Sequence, residues 1–270
     1  MSASWCGCED SAAAQLRIGG RAVAIVRSGA VRVADVHSVC VRCGRAQLPD
    51  GGLTEVSRAE HLALSGLALP VTYARKAITS GRDIDPLALP TVEQLGELGL
   101  VRPIRSELLY DVRGASDAEV RAHMRGLFSI PEGVASVRLT LPGVRRSIVV
   151  GEDFVEHPLR QQRRLVDPDH MRFSSLAPMT VLESVEILLV RAQGGGSSLK
   201  FLGAYRDLSL PPGSGTPYVY HVAYALGDGR LTTSFRLAGG AQAFRAERVG
   251  RLLFASYAQM VPSIILPSAS

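Results

Sequence analysis

Residues 218–237 run Tyr218-Val219-Tyr220-His221-Val222-Ala223-Tyr224-Ala225-Leu226, then Gly227-Asp228-Gly229, then Arg230-Leu231-Thr232-Thr233-Ser234-Phe235-Arg236-Leu237. Two runs rich in aromatic and β-branched residues, parted by Gly-Asp-Gly, are the strongest short-range signal for an antiparallel hairpin. The same pattern extends upstream. Thr180 to Val190 and Leu199 to Tyr205 read as two further strands, joined through Gly194-Gly-Gly-Ser-Ser198. Downstream, Ala241 to Met260 reads as a terminal helix, with Val249, Leu252, Leu253, Ser256 and Met260 on one face. The C-terminal part, 179–270, is therefore expected to be an antiparallel sheet with one helix.

Working back, residues 105–150 predict strand, helix, strand, strand. Glu107 to Val112 is the first strand. Ser116-Asp-Ala-Glu119 is a capping box opening a helix with Val120, Met124, Leu127 and Phe128 on one face. Val134 to Leu141 and Ser147 to Val150 then pair around Pro142-Gly143. A βαββ run of this length is half of a ferredoxin-like sandwich, a unit that hosts many unrelated functions. Residues 151–178 read as a polar, irregular loop. Residues 53–104 read as a helical segment, with capping boxes at Ser57 to Glu60 and Thr91 to Gln94, Gly99 at the end of the second helix, and breaks at Pro70, Pro86 and Pro90. Residues 1–52 read as a small β module with strands at Gln15 to Ile18, Arg21 to Val26 and Val31 to Val36. The expected class is α+β in three parts: 1–52, 53–104 and 105–270.

Composition bounds the function. With 46% hydrophobic and 20% charged residues the chain can bury a core, which excludes wholesale disorder. Its apolar runs, such as Ile187 to Val190, are too short to span a bilayer as helices. Four cysteines are too few for a disulfide scaffold, and the N-terminus shows no basic segment followed by an apolar one, so a reducing, cytoplasmic setting is expected. The 30 cations against 25 anions comprise 28 arginines and 2 lysines, while asparagine is absent. GC-rich coding explains arginine over lysine. It does not explain the net +5, which favours acidic or phosphate-bearing partners.

The most specific motif is Cys6-Gly-Cys8 with Cys40-Val-Arg-Cys43-Gly44. Four thiolates satisfy tetrahedral zinc. Cys-x-x-Cys-Gly is a natural knuckle, and the intervening strands set two knuckles side by side as a zinc ribbon does. The first pair is tighter than usual, and His37 is an alternative ligand. A closed four-ligand site has no position for substrate, so this zinc is structural.

Three other groups carry chemistry. Arg160, Arg163, Arg164 and Arg172 can hold phosphates, or can neutralise nearby carboxylates. Tyr218, Tyr220 and Tyr224 share one strand face, where they stack bases or pack beneath a helix. Glu152, Asp153, Glu156, His157, Asp167, Asp169 and His170 are dense enough for metal or acid–base chemistry, although the spacing fits no established motif and a solvated loop explains them as well. These signals rank a non-catalytic, zinc-stabilised protein that binds nucleic acid, RNA or DNA, as a subunit of a larger complex, first. A protein–protein adaptor with structural zinc ranks second. A metal-dependent hydrolase using the 152–170 cluster ranks third.

Overall fold

The structure is a computed structural model. It describes residues 68–97, 99–160, 168–191, 195–210 and 218–260, with six short strands within 13–55. In chain order these strands are β1 (Ala13–Ala14), β2 (Arg17–Ile18), β3 (Arg21–Ala22), β4 (Ser38–Cys40), β5 (Arg45–Gln47) and β6 (Leu53–Glu55). Then come α1 (Ala68–Ser80), α2 (Val92–Glu97), β7 (Arg102–Ile104), α3 (Asp117–Leu127), β8 (Ser136–Thr140) and β9 (Ser147–Gly151). They are followed by α4 (Glu152–Arg160), α5 (Pro168–Phe173), α6 (Ala177–Leu182), β10 (Glu186–Arg191) and β11 (Ser197–Asp207). The last are β12 (Tyr218–Leu226), β13 (Leu231–Arg236), α7 (Gly240–Glu247) and β14 (Arg251–Ala255). The protein is α+β, with antiparallel sheets and several helices.

Chain contacts divide it into two compact units, one of residues 1–73, 88–100 and 257–270, the other of 74–87 and 101–256. In the first, β1-β4-β5-β6 form a small antiparallel sheet and β2 pairs with β3, Arg17 opposite Ala22 and Ile18 opposite Arg21. The expected capping box at α2 is present: the Thr91 N–H donates to Gln94 Oε1 (2.9 Å) and the Gln94 N–H to Thr91 Oγ1 (3.3 Å). Pro70 lies at the start of a helix, as a break there would require. It stands in the first turn of α1, where a missing N–H leaves no bond unmade. The Ser57 capping box, the remaining strands expected before residue 37 and most of the cysteine module lie outside the described residues.

The second unit is built on a sheet ordered β13-β12-β11-β10-β14, antiparallel throughout. The Gly227-Asp228-Gly229 turn joins β12 to β13, closed by a bond from Leu226 N–H to Arg230 O (2.8 Å). β11 is 11 residues long and outruns β10. Its last residues pair instead with β7, in parallel, Tyr205 opposite Arg102 and Asp207 opposite Ile104. One sheet face carries Phe201, Leu199 and Ala223. Against it pack Val120 and Met124 of α3, Ile148 and Val150 of β9, Phe154 and Val155 of α4, and Val181 of α6.

Five sequence expectations need correction. The strand expected at Glu107 to Val112 is absent. A 3-10 turn occupies Ser106–Leu108, and the strand lies earlier, at β7. β8 and β9 form a hairpin of their own, and β7 joins the main sheet, so the ferredoxin-like half-sandwich is not formed. The 151–178 segment is helical where described, because Phe154, Val155 and Pro158 give α4 a buried face that outweighs an internal proline. The strand expected from Thr180 begins at Glu186, after Pro178 opens α6. Finally, α7 stops at Glu247. Gly250, at φ +101°, turns the chain, and residues 251–255 form β14 with Leu252 and Ala255 buried.

Candidate functional site

Where β12 begins and β13 ends, the second unit holds a cavity of about 340 Å³. Ser106 and Asp207 line it from the β7–β11 side, Arg172 and Phe173 from α5, and Tyr218 and Tyr220 from β12. Arg236, the last residue of β13, and Gly239-Gly240, entering α7, complete the wall.

Each charged group here is held by its neighbours. Arg172 is half-buried and donates from Nη2 to the Ser106 carbonyl. Its Nε is buried and finds no acceptor among the described residues. Arg236 lies over the Phe173 ring, 4.8 Å from its centroid, a cation–π contact that positions the guanidinium while leaving its N–H groups unspent. Among the described residues neither arginine pairs with a carboxylate. Asp207 is 4% exposed. Burial pushes its carboxyl up, but hydrogen bonds from Ser106 and Ser209 outweigh this and hold it below the ordinary value, hence ionised. Gly239 is the N-cap of α7 and provides no side-chain cap. Its first-turn N–H groups therefore present the positive end of the helix dipole unneutralised.

The tyrosines divide. Tyr218 is half-buried and lines the cavity. Tyr220 is 1% exposed and packs beneath α7 against Phe244, ring centroids 5.0 Å apart. Tyr224 donates to Glu247 Oε2 (2.8 Å) and stacks on Phe235. Burial, and then the Glu247 carboxylate, push its phenol well above the usual tyrosine range. The shared face expected from period-two spacing is real, and α7 covers most of it.

The acidic cluster is spent on surface pairs. Glu152 accepts from Arg125 (2.8 Å) and Glu156 from Arg121 (2.6 Å). Asp153 lies 2.8 Å from Arg230 and 3.7 Å from Arg160. His157 Nε2 is 2.9 Å from Thr233 Oγ1. Among the described residues no group of three His, Cys, Asp or Glu side chains can hold a metal ion. Asp169 and His170 fall on α5; Asp167, Arg163 and Arg164 lie outside the described residues, as do Cys6, Cys8 and Cys43. Cys40 ends β4, opposite Ala13. Of the four arginines singled out in the sequence, Arg172 reaches the cavity and Arg160 faces Asp153.

Sequence reasoning missed Arg236. Its position at the end of an alternating strand marks it only as an edge residue, and its partner Phe173 is 63 residues away in sequence. The Gly239-Gly240 pair was the available clue, since glycines at the N-cap and first position of a helix leave its first N–H groups without a side-chain cap. Also missed were Arg138, Arg145 and Arg146, exposed around the β8–β9 hairpin and unpaired with carboxylates among the described residues.

Comparison with family models, with curated proteins and with solved structures returned no match. Among the described residues no helix is long and apolar enough to cross a membrane.

Proposed function

We propose that this protein is a non-catalytic, nucleic-acid-binding subunit of the reducing cytoplasm, stabilised at its N-terminus by structural zinc. One observation carries the binding reading. Arg172 and Tyr218, selected in the sequence as a phosphate and a base contact, line one cavity with a second arginine, Arg236. Guanidinium grips phosphate bidentately, an aromatic ring accepts a base, and both are what single-stranded nucleic acid requires. The cations of the β8–β9 hairpin and the net charge of +5 support the same reading.

The expected result is binding of a labelled single-stranded oligonucleotide whose log affinity falls linearly with log salt. Changing Arg172 and Arg236 together to Ala should flatten that slope by about 0.7 per lost contact. Absence of binding at about 50 mM salt, where phosphate contacts are still strong, would end this reading. It would favour the adaptor reading, for which Leu108, Leu208 and Leu210 are 75%, 50% and 42% exposed on neighbouring loops.

For the zinc, Cys6, Cys8, Cys40 and Cys43 supply four thiolates, the donor set that structural zinc favours. Metal analysis of the purified chain should return close to one zinc. Cys43→Ser should abolish it and unfold the N-terminal module, leaving the main sheet's unfolding transition in place. A zinc-free chain with that module folded would refute the assignment.

A further inference from the structure

We infer that the cavity takes a terminal phosphomonoester of a nucleic-acid strand, one end rather than a stretch of internal backbone. This rests on the nucleic-acid reading above and specifies what its site selects.

The first ground is size. A cavity of about 340 Å³ is at the lower end of small-ligand sites, enough for one nucleotide-sized group and not for successive nucleotides.

The second is charge. An internal phosphodiester carries one negative charge. A terminal monoester carries between 1.5 and 2 at neutral pH, as other phosphate monoesters do, with a third exposed oxygen (about −1.5 to −2 in all). The donors gathered here match the greater charge. Arg172 has a buried Nε without an acceptor among the described residues, and Arg236 is steered by Phe173 with its N–H groups unspent. The uncapped start of α7, an eight-residue helix, adds backbone N–H groups. Gly240 lines the same wall, and a Cβ built on it would meet no atom within 4 Å, so a small group can approach the backbone there.

The third is the opposing carboxylate. Asp207, held ionised by Ser106 and Ser209, lines the same cavity. It accepts a hydrogen bond from a hydroxyl, as the sugar of a terminal nucleotide offers.

The test uses the full chain and one labelled single-stranded oligonucleotide sequence in three forms: 5′-phosphate, 3′-phosphate and hydroxyl at both ends. Binding is read by fluorescence anisotropy at about 50 mM salt. One phosphorylated form should bind at least tenfold more tightly than the hydroxyl form, the favoured form revealing which end the cavity holds. Arg236→Ala should collapse that ratio towards one. Arg236 is exposed and supports no core, and an unchanged melting temperature establishes that the variant is folded. Arg172→Ala should do the same and serves as the second variant. Equal affinity for all three forms would overturn the end-selection inference while leaving nucleic-acid binding intact. A preference that survives both substitutions would overturn the assignment to this cavity. Binding of none of the three would remove the underlying reading along with it.

Discussion

Arg248→Met should destabilise the second unit by about 3–5 kcal/mol. Glu186 is wholly buried and Arg248 is 3% exposed. They meet through a hydrogen bond from Nε to Oε2 (3.0 Å) and an ion-pair contact between Nη2 and Oε1 (2.8 Å). The guanidinium also lies 4.8 Å from the Phe244 ring centroid, so the pair ties the C-terminus of α7 to strand β10. Removing the cation leaves a carboxylate in the interior with its charge uncompensated, and that desolvation penalty dominates the loss. The double variant Glu186→Leu with Arg248→Met should recover most of it, because neither charge then remains to be solvated. Urea denaturation followed by far-ultraviolet circular dichroism measures both. A single variant losing under about 1 kcal/mol, the range of an exposed pair, would show that water reaches this contact.

Phe154→Ala should cost a similar amount, about 3–5 kcal/mol, by opening a cavity. Phe154 is 1% exposed and meets Phe128 edge-on at 5.4 Å, within the cluster that joins α3, α4 and the sheet. Its neighbours on the same helix give the contrast. Glu152→Gln removes a partner of Arg125 in a pair that is partly solvated, and should cost under about 1 kcal/mol. If Phe154→Ala were equally mild, residues 152–160 would be a solvated loop and not a packed helix.

That contrast explains what was legible in the sequence. Local signals were read correctly where the local chain itself makes the decisive bonds. The capping boxes at Thr91 and Ser116 and the turn at Gly227 to Gly229 each close within a few residues. α4 was missed because Pro158 and a run of charges argue against a helix locally, whereas its buried stripe only gains value against α3 and β13. The terminal helix was extended too far because Leu252 and Leu253 suit either period, and Gly250 decides between them only through its left-handed backbone. The site was half legible. Arginine and tyrosine chemistry can be read from residue type, but convergence of Arg172, Tyr218 and Arg236 depends on how α5 meets the end of the sheet, which no window of sequence contains.

The parallel pairing of β7 with the end of β11 has a consequence for synthesis. Ser106 and Asp207, joined by a hydrogen bond of 3.1 Å, are 101 residues apart in the chain. Closing so long a loop early is entropically costly, so this contact belongs to the late steps of folding. On the ribosome, β7 emerges long before its partner and must wait, at about 5–20 residues per second, for several seconds or more. During that interval Arg102 to Ile104 is an unpaired strand, and the wall of the cavity that contains Ser106 and Asp207 does not exist. The Ser106–Asp207 wall is therefore completed only once β11 is out, and the whole cavity only after Arg236 and Gly239-Gly240 have followed it from the ribosome.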